Sequence, residues 1–256
     1  MELTQEQLAH FRDQGYLVVE NVITLAQAEM LRAAIEQLNL ARHPGDIGLS
    51  TADNYLTIIH DLPKRAGPLG RIIQYRPVLR LVQQLIGKQV RVTGGLLLDK
   101  DPQHNWEVPW HQDTGIYVAH TPPGEKDDVR GGLPVYSTRG LELAGDVTCR
   151  LALDPALPDS GGLYVLPGTH HEHLGDNKNV AALHGSNKGL SAPQSIGSAL
   201  FYNPLVLHRS EKMTSDQQHR RILHLSWGPA DLRLPDGAEI YPWPQPFPLT
   251  PVDALV

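Results

Sequence analysis

Cysteine is nearly absent from this chain. A single residue, Cys149, in 256 positions leaves no partner for an internal disulfide and no thiolate set for a zinc cage. Any metal must therefore be held by histidines and carboxylates, and the cysteine usage fits a reducing, cytoplasmic setting. Positive charge is also in short supply. Lys and Arg number 22 against 28 Asp and Glu, a formal net charge of −6, so there is no basic footprint for nucleic acid. The pair Arg220-Arg221 is too small to make one. No apolar run approaches the roughly 20 residues of a membrane-spanning helix. The opening Met1-Glu-Leu-Thr-Gln-Glu6 has no charged-then-apolar signal pattern. The expectation is a soluble cytoplasmic protein without membrane contact. No internal repeat is visible.

Turn formers are plentiful instead, with 21 Pro and 23 Gly, which favours a β-rich fold over a helical bundle. The N-terminal part reads as helical. Thr4-Gln-Glu-Gln7 is a capping box that opens a short helix with Leu8 and Phe11 on one face and Gly15 as its stop. Tyr16–Val19 is a short strand. A second capping box, Thr24-Leu-Ala-Gln27, starts a helix through about Leu38, with Ala28, Leu31, Ile35 and Leu38 at helical spacing. Residues 41–56 read as loop, and 69–86 as a third helix stopped by Gly87. Short β-type runs follow at 90–98, 148–153, 162–166, 198–202, 206–208 and 221–227. No helical pattern of roughly 10 to 15 residues lies between them, which excludes a parallel α/β sheet. An antiparallel sandwich or jelly roll behind the helical layer is expected. It divides into a helical layer to about residue 88, a β core over about 89–230 and a Pro-rich tail over 231–256, as one domain. The polar stretch 119–145 is long enough to be read as an active-site lid. Tyr241-Pro-Trp-Pro-Gln-Pro-Phe-Pro248 should be extended chain packed along the surface.

The stretch Val108-Pro-Trp-His-Gln-Asp-Thr-Gly-Ile-Tyr117 carries the chemistry. His111 and Asp113, two apart on a strand, share a face and can hold one metal. A second His from another strand would complete the two-His-one-carboxylate set that leaves one side of an iron open, the usual site of Fe(II) oxygenases. With 13 His and many Asp, roughly one His-x-Asp arises by chance in such a chain. A rival, His170-His171-Glu172, is present.

Several segments, in order, resemble the phytanoyl-CoA dioxygenase family of Fe(II)/2-oxoglutarate oxygenases. They are Leu3-Thr-Gln-Glu-Gln7 with Phe11-Arg-Asp-Gln-Gly15-Tyr16, Lys100 ahead of Trp110-His-Gln-Asp113, Arg150-Leu-Ala-Leu-Asp154, Gly161-Gly-Leu-Tyr-Val-Leu-Pro-Gly-Thr-His170, and Gly197-Ser-Ala-Leu-Phe201 leading to Leu207-His-Arg-Ser210. The resemblance thins over 114–147 and after Trp227. It implies a double-stranded β-helix, the cupin-like jelly roll, flanked by helices, with Fe(II), 2-oxoglutarate and O2 as cofactors. It names His208 as the third ligand beside His111 and Asp113, the three forming the catalytic centre, and places His170-His-Glu172 in a surface turn that binds no iron.

It further implies that an Arg binds the far carboxylate of 2-oxoglutarate, where a forked, permanently charged donor suits a carboxylate. The family offset lands on His219, so the loop is one residue longer here. Arg220 is favoured, Arg221 stays open, and strand alternation lets only one point inward. Ser210 would donate to the same carboxylate. Lys100 and Gln103 are further candidates for the co-substrate pocket. Trp110, Tyr117 and Trp227 are candidates for walls of the substrate pocket or, equally, core aromatics. The carboxylate of Asp113 points to C–H oxidation, foremost hydroxylation, rather than halogenation. The expected partner is a small-molecule metabolite, and the expected state a monomer or homodimer. A cupin-like isomerase or hydrolase that does not use 2-oxoglutarate, or a non-catalytic ligand-binding relative, are the alternatives.

Overall fold

A computed structural model of the chain describes residues 1–40, 49–50, 55–125, 127–216, 219–235, 237–246 and 248–255. Most of the loop expected at 41–56 lies outside the described residues. In chain order the elements are α1 (Gln5–Gln14), β1 (Tyr16–Val19), α2 (Leu25–Leu40), β2 (Leu49–Ser50), β3 (Leu56–Ile59), α3 (Pro68–Arg71), α4 (Arg76–Ile86), β4 (Val90–Lys100), β5 (Val108–His111), β6 (Gly115–Tyr117), β7 (Val129–Arg130), β8 (Leu133–Ser137), β9 (Val147–Ala152), β10 (Leu163–Leu166), α5 (Asn177–His184), β11 (Leu190–Ala192), β12 (Ala199–Tyr202), β13 (Leu207–Ser210) and β14 (Arg220–Pro229). Short 3-10 turns lie at Leu62–Lys64, Ile72–Gln74 and Thr169–His171.

Local rules set the helix ends. Thr4 and Gln7 form the reciprocal capping box, and Gly15 closes α1 with φ of 80°, a left-handed geometry that costs a side chain but not glycine. Thr24 and Gln27 repeat the box on α2, with the Thr24 amide donating to Gln27 Oε1 at 2.9 Å. The buried face of α2 carries Ala28, Leu31 and Ile35, all without solvent exposure. Burying each of the two larger side chains contributes about 1.5–3 kcal/mol. The single helix expected over 69–86 is divided. Tyr75 is extended, with ψ of 121°, and the chain restarts with Pro77 in the first turn of α4. A proline there removes an N–H that the helix start does not use, whereas inside a continuous helix its ring would strike the preceding turn.

All named strand pairs are antiparallel. The large sheet has the order β1-β12-β9-β14-β4-β3-β2 and the smaller one β11-β10-β13-β5. This is the mainly β jelly roll expected from the sequence. The large sheet is covered on both faces, so β9 is buried along its whole length and reads as a continuous run. Alternation still sorts its side chains. Cys149, Leu151, Phe201, Leu223 and Leu225 belong to the core that the helices cover. Leu200 and Tyr202 pack with Leu163 and Val165 of the small sheet. The opposite row from β9, β12 and β14 also faces inward and, beside Leu200 and Ile222, carries the polar side chains Thr148, Arg150, Tyr202, Arg220 and His224.

The stretch 119–145 is more ordered than a lid loop. β7 and β8 lie within it and pair with β6 as a three-stranded sheet. Tyr136 and Leu143 pack with Ile116, Val118, Leu232 and Ile240, so C-terminal residues close over it. The tail packs on the domain, as expected. Trp243 and Leu255 are buried, and Val252 exchanges backbone hydrogen bonds with Gln74 and Arg76 at 2.9 Å each. Among the described residues, no helix is long and apolar enough to cross a membrane.

Candidate active site

His208 of β13 is the cross-strand partner of His111 on β5, with ring centroids 4.1 Å apart. Asp113 lies beyond the end of β5. The alternation argument for a shared face is therefore replaced by direct contacts: the Asp113 amide donates to the Pro204 carbonyl at 2.8 Å, which turns the carboxylate back between the two rings. His111 Nε2 stands 3.5 Å from Asp113 Oδ1, and His208 Nε2 stands 3.5 Å from Asp113 Oδ2. One donor atom from each residue lies within 4.8 Å of the others, the metal-capable cluster found among the described residues.

The tautomers follow from the partners. His111 Nδ1 is 2.8 Å from the Pro109 carbonyl and His208 Nδ1 is 2.9 Å from the Val206 carbonyl. A carbonyl only accepts, so each Nδ1 carries the proton and each Nε2 presents a lone pair to the cluster. Burial and the neighbouring His111 pull His208 down to about 3, which keeps its ring neutral. Burial alone would raise Asp113, but His208 and His111 overcome it and hold the carboxyl well below its ordinary range. Between His111 and Asp113, Gln112 faces away. Its amide donates to Glu172 and Leu205 carbonyls at 2.7 and 2.6 Å and accepts from the Leu174 amide at 2.8 Å. That clamp fixes the direction of the residues on either side.

Two side chains that the sequence did not single out complete the surroundings. Tyr202 donates its hydroxyl to Asp113 Oδ2 at 2.7 Å. His224 Nε2 is 3.9 Å from the same oxygen and is pulled down to about 4, chiefly by burial. Both were open to alternation counting. His224 follows Arg220 by four residues on β14, and Tyr202 sits on the inward row of β12. Removing the Tyr202 hydroxyl is expected to weaken metal affinity by about 10- to 100-fold, the usual effect of deleting a hydrogen bond to a ligand. Titrating Fe(II) into Tyr202→Phe anaerobically checks this; unchanged affinity would separate Tyr202 from the centre.

The cluster stands between two cavities. One, of about 200 Å³, is lined by Lys100, Trp106, Arg150, Ser210 and Arg220 together with the cluster. Lys100 and Arg220 are cross-strand partners, and Arg150 is the partner of His224. Among the lining residues Asp113 is the single acid. Arg220 Nε and Nη1 and Arg150 Nε have no hydrogen-bond partner. Lys100 Nζ donates to the Glu211 carbonyl at 2.8 Å and to Ser210 Oγ at 3.3 Å. Burial, then the charges of Arg220 and Arg150, bring Lys100 down to about 6, and burial brings Arg220 down to about 9. Two buried arginines beside a buried lysine, set against a single carboxylate, mark a place built for an anion.

Arg221 faces the other way. Its Nε donates to Asp154 Oδ2 and its Nη1 to Glu36 Oε1, both at 2.7 Å, so Arg220 is the arginine of the pair that lines the cavity.

The second cavity, about 170 Å³, opens on the other side of the cluster and is lined by Thr93, Gly94, Tyr117, Arg130, Asp146, Thr148, His224 and Ser226 among others. Of the three candidate aromatics Tyr117 lines this cavity, and a Cβ at Gly94 would come within 3.3 Å of its ring. Trp110 does not line either cavity. It alternates with His111, so it points to the opposite face and packs with Val180 and Leu207. Trp227 is fully buried in the main core, its indole N–H on the Ile73 carbonyl at 3.2 Å. Gln103 is exposed, held outward by a turn in which Asp101 Oδ1 accepts from the Gln103 and His104 amides at 2.7 Å each. His170 is buried rather than superficial, with Nε2 on the Arg12 carbonyl at 3.0 Å and its ring against Gly15. It gathers no metal-capable group with Glu172.

Residues 11–222 match the model of the phytanoyl-CoA dioxygenase (PhyH) family. The chain belongs to this family. It is an Fe(II)/2-oxoglutarate-dependent dioxygenase, an oxidoreductase whose cofactors are Fe(II), 2-oxoglutarate and O2. Relatives include a methylphosphonate hydroxylase of Gimesia maris, 23% identical over 88% of this chain and 80% of its own length. The peroxisomal phytanoyl-CoA dioxygenase of Mus musculus is 23% identical over 91% of this chain and 71% of its own length. Among solved structures, EctD from S. alaskensis with 2-oxoglutarate and 5-hydroxyectoine superposes with a TM-score of 0.71 at 18% identity, covering 92% of this chain and 80% of that one. At that identity the match concerns the fold.

Proposed function

We propose that His111, Asp113 and His208 hold Fe(II), that Arg220 with Ser210 anchors the far carboxylate of 2-oxoglutarate, and that the enzyme oxidises a C–H bond of a small molecule seated in the Tyr117-lined cleft, foremost by hydroxylation. The observation that carries this reading is the buried cavity of Lys100, Arg150 and Arg220, in which Arg220 Nε and Nη1 and Arg150 Nε are unpartnered and which opens onto the three-residue cluster. A dianionic co-substrate gives those cations counter-charges that the protein itself does not provide. An isomerase or hydrolase would leave them without a use.

When bound, Fe(II) and 2-oxoglutarate supply the oxidising chemistry, with O2 consumed and 2-oxoglutarate leaving as succinate and CO2. The chain's own residues supply placement. The two Nδ1–H···O=C bonds present the Nε2 lone pairs, Tyr202 orients Asp113, and Arg220 fixes the co-substrate by its forked donors. The single carboxylate ligand Asp113 leaves no space for a halide, and the name of the Gimesia maris relative is that of a hydroxylase.

Anaerobic addition of Fe(II) and 2-oxoglutarate is expected to give the weak visible charge-transfer band of a chelated 2-oxo acid. Metal binding without the band would sink the reading.

A further inference from the structure

Asp146 immediately precedes β9 and stands two residues before Thr148 and four before Arg150, so alternation carries one inward row from the anion cavity into the substrate cleft. It is 3% exposed, it lines the cleft, and its Oδ1 has no hydrogen-bond partner. Thr93 lines the same cleft, is 4% exposed, and its hydroxyl lies against the Asp146 carboxyl. Thr148 and Ser226 add two hydroxyls, 3.4 Å apart, to the wall. The cleft's cation, Arg130, is half-exposed and tied to Asp128 at 2.9 Å. Burial pushes the Asp146 carboxyl well above its ordinary range. A carboxyl buried this deeply is costly to maintain, and only the Thr93 hydroxyl and the charge of Arg91 offset that cost.

We infer that Asp146, with Thr93 beside it in the cleft, is the substrate-recognition residue, and that it accepts hydrogen bonds from the amino or hydroxyl groups of a small polar substrate. This rests on the reading of the adjacent centre as the Fe(II)/2-oxoglutarate site. A phosphonate dianion would meet an acid and no unpaired cation. A plain acyl chain would leave the carboxyl unsatisfied against carbon. The cleft therefore ranks donor-rich compounds above both, whichever of the relatives is considered.

The test measures succinate release by the Fe(II)-loaded enzyme with amino alcohols, amino sugars and polyols in one arm, and with methylphosphonate and octanoyl-CoA in the other. At least one amino- or hydroxyl-bearing compound is expected to raise the rate above that without added substrate. Asp146→Leu is expected to lower kcat/KM for that compound by about tenfold or more, the scale of a hydrogen bond to a buried acidic group. Asp146→Asn separates the two donor types, since its amide still accepts from a hydroxyl but no longer pairs with an ammonium. Melting temperature supplies an independent readout, because a carboxyl kept for a ligand is a burden to the fold. Asp146→Asn is expected to melt at or above the wild-type temperature. Stimulation confined to methylphosphonate or octanoyl-CoA, no stimulation by any donor compound, an unchanged kcat/KM in Asp146→Leu, or a fall of several degrees in Asp146→Asn overturns the assignment. The charge-transfer band in the wild type is scored separately; its absence would remove the Fe(II)/2-oxoglutarate reading instead.

Discussion

Asp113→Ala is expected to abolish succinate formation from 2-oxoglutarate and to reduce Fe(II) binding to the background of a bare histidine pair. The loss should be larger than for Tyr202 or His224, which touch the carboxylate from outside the cluster. In the proposed centre Asp113 would contribute a ligand atom and a negative charge that partly neutralises the metal, and it is the acceptor for Tyr202 at 2.7 Å. Without the carboxylate, two neutral imidazoles remain 4.1 Å apart between ring centroids, a poor site for a metal that prefers mixed nitrogen and oxygen ligands. His111→Ala should behave the same way in turnover while leaving the Tyr202–Asp113 bond in place. Fe(II) titration followed by succinate assay checks both. Full succinate formation by either variant would contradict the assignment of the centre.

The adjacent arginines should part company when each is removed. Arg220→Leu is expected to raise the KM for 2-oxoglutarate by about 100-fold, the effect of losing a charge-assisted, two-pronged contact of about 3 kcal/mol. The same change should leave the melting temperature equal or higher, because the wild-type guanidinium is buried with Nε and Nη1 unpartnered and burial already pulls it down to about 9. Arg221→Ala should do the reverse. It breaks contacts to Asp154 and Glu36 and strands a mostly buried carboxylate, at a cost of about 2–4 kcal/mol. Arg32, 3.0 Å from Asp154, keeps that cost at the lower end. Thermal melts and 2-oxoglutarate saturation curves on the two variants are sufficient. A large KM effect from Arg221→Ala with none from Arg220→Leu would move the anchor by one residue.

Legibility differed by element. The capping boxes at Thr4 and Thr24 and the Gly15 and Gly87 stops are local chemistry, and the structure forms them where the sequence puts them. Strands with strong β character were visible as runs. The weaker ones, β6 and, inside 119–145, β7 and β8, were not, because their stability comes from packing Tyr136 and Leu143 against Leu232 and Ile240 far along the chain. The triad residues could be named from an ordered resemblance. Arg150 was read only as part of a matching segment, and Tyr202, His224 and Asp146 drew no attention, since each is an isolated polar residue in or beside an apolar run. Each acquires meaning only when neighbouring strands bring its row inward.

By itself the sequence determined the chemistry that was possible. One cysteine left histidine and carboxylate as the metal donors, the deficit of basic residues argued against a nucleic-acid partner, and the spacing of apolar residues set an antiparallel β core behind helices. Tertiary structure decided which members of each candidate set face the site. Strand register put Arg220 opposite Lys100 and sent Arg221 to Asp154. It turned Trp110 away because His111 turns in. It bent Asp113 off the end of β5 onto the Pro204 carbonyl. The physical reason is the two-residue period of a strand: which face a side chain occupies depends on its register with strands tens to hundreds of residues away, and that register is set by the packing of the whole core.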